Sequence, residues 1–189
     1  MNFILASASD RRKELLSRLV KEYEVIPSSF DEDSVKFAGD VGNYVKELSL
    51  GKAEYIRNDI KKPSIIIAAD TVVSLEDKVL GKPKDKGDAF KMLQSLSGKT
   101  HQVYSGITVI NTENNKLISD YVCTDVTFSE LSKEEIDEYI NTGEPMDKAG
   151  SYGIQGFGGV FVEKIDGCYY SVVGLPLNKL KNILIDIVK

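Results

Sequence analysis

The sequence predicts an α/β protein. Three observations carry that reading. A short apolar strand, Phe3-Ile4-Leu5-Ala6, runs straight into a small-residue turn and an amphipathic segment ending near Leu19. A continuous apolar run, Ile65-Ile66-Ile67-Ala68-Ala69, has the composition of a strand buried on both faces. Segments with helical spacing of apolar residues separate these strands and follow them.

Taken in order, the first helix is marked by Leu15, Leu16 and Leu19, and a strand is expected at Tyr23–Ile26. Val41, Tyr44, Val45 and Leu48 form an i, i+3, i+4, i+7 stripe on a second helix. After the run at 65–69, Val72–Leu75, the turn Glu76-Asp77-Lys78 and Val79-Leu80 read as a hairpin. A third helix starts near Asp85, carries Ala89, Met92, Leu93 and Leu96, and meets a C-terminal glycine at Gly98. Ser132-x-x-Glu135 is a capping-box pattern and opens a fourth. A fifth follows Pro176, with Leu177, Leu180, Leu184 and Ile187 on one face. Residues 101–110, 117–128, 159–165 and 168–173 are expected to be extended. Five glycines fall within residues 150–159, which predicts a loop with special backbone angles or close ligand approach.

Bulk properties narrow the function. The 189 residues suit one domain, 1–189, with room for two lobes, and 42% apolar residues suffice for a core. A net charge of −5 provides no global field for nucleic acid, so any positive site is local. Cys123 and Cys168 lie in no metal-like spacing and read as reduced core thiols, although one bridge between them stays open. No apolar run approaches the roughly 20 residues of a membrane span, and the N-terminus lacks the pattern of a signal peptide. The expectation is a cytoplasmic protein.

The start of the first helix is the clearest candidate site. Ser7-Ala8-Ser9-Asp10-Arg11-Arg12 places hydroxyls, free backbone N–H groups and two guanidinium groups where an anion would be held. Asp70 directly follows the buried run 65–69, at the expected carboxyl end of a strand, where ligand groups commonly lie in α/β sheets. It either caps a turn, pairs with a lysine, or has a task. Lys52 continues the apolar stripe of the second helix; it either snorkels to water or aims a cation into a cleft. Glu32 sits in Asp31-Glu32-Asp33, which is either a solvated loop or the source of a second carboxylate for a hard metal ion beside Asp70. Lys82 in Gly81-Lys82-Pro83 reads by itself as a turn lysine.

Other chemistries fail. Ser97-Gly98-Lys99-Thr100 has Leu93 where a P-loop needs glycine and follows a helix instead of opening one. The glycines 150, 153 and 156 have no apolar strand directly before them, so they make no dinucleotide fingerprint. His101 is the only histidine, and no nucleophile elbow is present. Carboxylates, lysines, arginines and a hard cation remain, the set used to hydrolyse phosphate esters and anhydrides.

Together these motifs resemble the Maf family of nucleoside triphosphate pyrophosphatases over almost the whole chain. The resemblance rests on Leu5-Ala6-Ser7-Ala8-Ser9-x-Arg11-Arg12, Ala69-Asp70-Thr71-Val72-Val73, Gly81-Lys82-Pro83 and Leu96–Val103. Asp147-Lys148-Ala149-Gly150-x-Tyr152-Gly153-Ile154-Gln155-Gly156 and Val173-Gly174-Leu175-Pro176 complete it. It implies hydrolysis of a nucleoside triphosphate to the monophosphate and pyrophosphate with a divalent cation, Mg²⁺ or Mn²⁺. It also implies a central mixed, twisted sheet flanked by helices, similar to the inosine-triphosphatase-like pyrophosphatases, with a cleft between two lobes and often a homodimer. By the same resemblance Asp70 is the proton acceptor and Glu32, Lys52 and Lys82 are polar cleft residues. Ser7, Ser9, Arg11 and Arg12 match the phosphate-binding start. Arg11, Thr71 and Gln155 match positions linked to substrate choice, in the pattern of the branch acting on dTTP and UTP. A glutamine amide suits a pyrimidine edge because it offers donors and an acceptor. Family roles in division arrest and nucleotide-pool cleaning come with the resemblance. A nucleotide-binding regulator of septum formation without turnover is the competing reading, and a phosphomonoesterase is another. One departure stands out. Asp10 replaces the family's usual proline and sets a carboxylate beside the anion site, which is expected to weaken anion binding or bias it toward metal-bound substrate.

Overall fold

The computed structural model describes residues 1–189. Its elements are β1 (Asn2–Leu5), α1 (Asp10–Ser17), β2 (Glu24–Val25), α2 (Val41–Arg57), β3 (Ser64–Leu75), β4 (Lys78–Leu80), α3 (Lys86–Leu96), β5 (Thr100–Asn111), β6 (Lys116–Phe128), α4 (Lys133–Asn141), β7 (Val162–Asp166), α5 (Tyr169–Val173) and α6 (Leu177–Ile187). The strands form one mixed sheet in the order β2-β1-β3-β5-β6-β7, with β4 also paired to β3. β1 is parallel to β2 and β3, while β4 is antiparallel to β3 and β7 to β6. This is the α/β architecture expected, a mixed sheet with helices.

All helices but α5 start where the sequence marks them. Asp40 caps α2 by accepting from the Asn43 N–H at 3.0 Å, and Asp85 caps α3 through the Asp88 N–H at 2.8 Å. Ser132 and Glu135 close the reciprocal capping box on α4. Gly98 follows α3 with φ of 65°, the left-handed exit expected of it.

The chain divides into two compact units. The first holds Met1–Asp70, Ser105–Val122 and Gly174–Lys189; the second holds Thr71–Tyr104 and Cys123–Val173. Each has its own core. Ile4, Ala6, Ala53, Ile56, Ile66, Ala68 and Ile110 pack together in the first. Leu93, Val126, Phe128, Ile136, Tyr152 and Phe161 are among those that do so in the second. No helix is long and apolar enough to cross a membrane.

Four expectations change. The runs 65–69 and 72–75 are one strand, β3, so Asp70 lies inside it and not at its end. It sits three residues past Ile67, the last β3 residue in register with β1. Residues 169–173 form the short helix α5. The Thr124 hydroxyl accepts from the Cys168 N–H at 3.0 Å and meets Ser171 Oγ at 2.8 Å, a cap supplied from β6. Residues 157–161 form a 3₁₀ turn before β7 begins at Val162. Cys123 and Cys168 are both free, one exposed and one half-buried. Alternation along β6 buries Thr124 and Val126 and so turns Cys123 outward.

His101 explains itself as core. It is fully buried, its Nε2 meets the Tyr152 hydroxyl at 2.8 Å, and its ring stacks edge-on against Phe128 at 5.0 Å. Nδ1 has no partner. Burial lowers the imidazole pKa to about 4, with Asp125 pulling the other way. The folded pKa lies below the unfolded value, so the stabilising effect is complete above about pH 6.5 and is lost as pH falls toward 4. Urea unfolding at pH 7.5 and 4.5 is expected to show a drop of about 2–3 kcal/mol from this group, absent in His101→Gln.

Candidate active site

The site grows from α2 and β3. The buried face of α2 carries Val45, Leu48, Ala53 and Ile56. Lys52 shares that side of the helix, and its side chain is only 12% exposed. Its ammonium pairs with Asp70 on β3 and with Glu32 Oε1 at 2.9 Å. Of the two sequence alternatives for Lys52, the inward cation is the one observed. Asp70 is 7% exposed and takes Lys52 as its partner.

Glu32 reaches this point although its own side chain is largely exposed. It opens a short 3₁₀ turn, Glu32–Ser34, capped by the Asp31 carboxylate. Two residues earlier, the Phe30 ring lies where a Cβ on Gly51 would stand. Only glycine at 51 lets this loop lie flat on α2 beside Lys52. Tyr44, read from the sequence only as part of the apolar stripe, belongs to the same neighbourhood. Its phenol pKa is raised by burial and then by the charges of Asp70, Glu32 and Asp33.

The start of α1 supplies the positive charge. Ser9 caps the helix by accepting from the Arg12 N–H at 3.5 Å. Ser7 is buried, and its hydroxyl accepts from the Ser9 N–H and from Arg12 Nη1, both at 3.3 Å. Arg12 Nε donates to the Gly174 carbonyl at 2.9 Å. Burial lowers the Arg12 pKa; Asp70 opposes this, Arg11 adds to it, and Glu32 opposes it again. Arg11 is half-buried, and its Nε is buried without a hydrogen-bond partner. Asp10 is solvent-exposed at this helix start. Its exposed carboxylate pairs with Lys13 at 2.8 Å, which also lowers its pKa. The negative charge of Asp10 is therefore offset on the spot.

Ser7, Ser9, Arg11, Arg12, Glu32, Lys52 and Asp70 all lie in the first unit. Thr71, Lys82 and Gln155 lie in the second. Thr71 is half-buried on β3, and Lys82 and Gln155 are exposed. Within that unit the Gly150 N–H donates to the Gly81 carbonyl at 3.0 Å and ties the glycine loop to the Lys82 turn.

The donor set can be tested against a metal. No group of three or more His, Cys, Asp or Glu side chains is gathered for one. Asp70 and Glu32 do reach a common point, since both contact the same ammonium. Two carboxylates suit a hard divalent cation that keeps waters and takes its other ligands from substrate phosphate.

A family model described as Maf-like protein matches residues 2–187. The chain belongs to the Maf family. Among its Maf relatives, the dTTP/UTP pyrophosphatase of Clostridium beijerinckii is 59% identical over 99% of this chain and 100% of that protein. The protein of the same name from Clostridium novyi is 58% identical over 98% of this chain and 97% of its own. A HAM1 protein from Coxiella burnetii aligns structurally with a TM-score of 0.48 at 14% identity, over 98% of this chain and 99% of that one.

Lys52 and Asp70 are coupled by direct contact, so their removal is expected to be non-additive. Lys52→Met and Asp70→Asn each destabilise. In chemical denaturation the double variant loses less than their sum, with a coupling of about 1–3 kcal/mol.

Proposed function

We propose that this chain hydrolyses dTTP and UTP to the nucleoside monophosphate and pyrophosphate. The observation that carries the reading is the buried Lys52 ammonium between Asp70 and Glu32, with the Arg12 guanidinium within their electrostatic reach. The Maf relatives from Clostridium beijerinckii and Clostridium novyi, both dTTP/UTP pyrophosphatases, support the same substrates. Residues 1–189 act as one functional domain on a small-molecule substrate.

In this mechanism the triphosphate lies against the start of α1. Free N–H groups of the first turn, Ser7, Ser9 and the two arginines meet its oxygens. Asp70 orients a water and accepts its proton as the water oxygen bonds to the α-phosphorus. The bond to the bridging oxygen breaks, and pyrophosphate leaves with that electron pair. Lys52 and Lys82 offset charge that builds on the phosphates and the leaving group. A divalent cation, Mg²⁺ or Mn²⁺, held by Glu32 and Asp70 would polarise phosphoryl oxygens and lower the pKa of bound water. Arg11, Thr71 and Gln155 select the pyrimidine nucleotide.

Incubation with dTTP or UTP and Mg²⁺ or Mn²⁺ is expected to yield equal amounts of monophosphate and pyrophosphate. Release of inorganic phosphate with the diphosphate would place cleavage at the terminal anhydride, phosphate released from the monophosphate would make the protein a phosphomonoesterase, and tight binding without turnover would make it a regulator. Asp70→Asn is expected to lower kcat by at least about a hundredfold while circular dichroism still reports a folded chain. Because Lys13 already offsets its charge, Asp10→Asn should shift the apparent KM by less than about twofold.

A further inference from the structure

The glycine loop of the second unit is fastened at both ends to one phenol–carboxylate pair. The Tyr139 hydroxyl donates to Glu144 Oε1 at 2.8 Å and accepts from the Gly153 N–H at 3.1 Å. Glu144 Oε2 accepts from the Phe157 N–H at 2.9 Å, and Oε1 accepts from the Gly158 N–H at 3.2 Å. Gln155 stands exposed between these fastenings.

Both anchors are themselves fixed. Tyr139 is 4% exposed, and its ring packs edge-on against Phe161 at 5.1 Å. Glu144 follows the left-handed turn at Gly143, which has φ of 80°. Burial works against the Glu144 charge. The N–H of Phe157, the Tyr139 hydroxyl, the N–H of Gly158 and Lys148 more than offset this, and the carboxyl pKa falls below its ordinary value. The backbone comes so close that a side chain at 156 would run into the Glu144 carboxylate, and one at 158 into the Tyr139 hydroxyl. A loop residue can discriminate between bases only if its backbone is held still, because a glutamine side chain by itself has many rotamers.

We infer that Glu144 and Tyr139 are positioning residues for substrate choice, holding the 153–158 backbone in the conformation that presents the Gln155 amide to a pyrimidine base. This rests on the reading that Gln155 contacts the base. Neither anchor touches substrate. Their effect passes through the loop, so it falls on selectivity and KM more than on kcat.

The test compares kcat and KM for dTTP and for GTP in Glu144→Gln, Tyr139→Phe, Gln155→Ala and the Glu144→Gln/Gln155→Ala double variant. Glu144→Gln replaces an acceptor with an NH₂ that faces an N–H. It is expected to lower the dTTP-over-GTP ratio of kcat/KM about tenfold, mainly through the KM for dTTP. The double variant should be no less selective than Gln155→Ala alone. Amide exchange at Phe157 and Gly158 should quicken in Glu144→Gln and stay unchanged in Gln155→Ala. If Glu144→Gln does not fold, Tyr139→Phe keeps the ring in the core and removes the bond to Gly153. A selective effect in Gln155→Ala with none in either anchor variant would overturn the inference and leave the Gln155 reading intact. No effect in Gln155→Ala would overturn both. An additive double variant, or a uniform fall in kcat for both nucleotides, would reduce the anchors to a structural role and sink the inference.

Discussion

Lys52, held between Asp70 and Glu32, is the contact on which the first unit's site depends. Asp70 sits on a strand whose preceding residues are isoleucines and alanines with no exposed surface. A carboxylate placed there without a cation would leave an uncompensated buried charge, among the costliest arrangements in a folded protein. The ammonium offsets that cost and draws Glu32 in from an exposed loop. Helix α2 brings Lys52 there because the same face buries Leu48 and Ile56, so hydrophobic packing fixes where the charge arrives. The flat contact of Phe30 on Gly51 sets the loop height that lets Glu32 meet the same nitrogen.

The two units position their groups by different means. In the first, Lys52 and Asp70 rise from a helix and a strand, which are rigid carriers, and Glu32 joins them from a loop. In the second, Lys82 and Gln155 ride on loops, and those loops are held by hydrogen bonds from their backbone N–H groups to a main-chain carbonyl and to two side chains. The Gly81 carbonyl, the Tyr139 hydroxyl and the Glu144 carboxylate take up N–H groups that no strand or helix would satisfy.

Much of this was legible in the sequence, and the failures have physical causes. Helix starts were clear because Asp85 and Ser132 cap through their own side chains a few residues away. The apolar stripe of α2 leaves Lys52 either a snorkelling or an inward cation, and its partners Asp70 and Glu32, on other segments, decide for the inward one. The extended reading of 168–173 failed because its β-branched and aromatic residues favour strands locally, whereas the cap that makes it helical comes from Thr124, 44 residues earlier. Asp70 was placed at a strand end because a carboxylate seldom lies inside a buried strand, and the partner that permits it is on another element. Tyr44 and Glu144 gave no signal by themselves. Each is an ordinary helix-stripe or loop residue until the fold brings its neighbours in.

The bond from Arg12 to the Gly174 carbonyl spans 162 residues. It bears on how the protein is made. A chain emerging from the ribosome can form α1 within its first turns, but the acceptor that orients this guanidinium is translated only after most of the polypeptide. Until then Arg12 has its bond to Ser7 but lacks its Gly174 acceptor. Arg12 therefore gains its full set of anchors only late in synthesis, and a fragment ending before residue 174 would carry Asp70, Glu32 and Lys52 without the Gly174 anchor on that arginine.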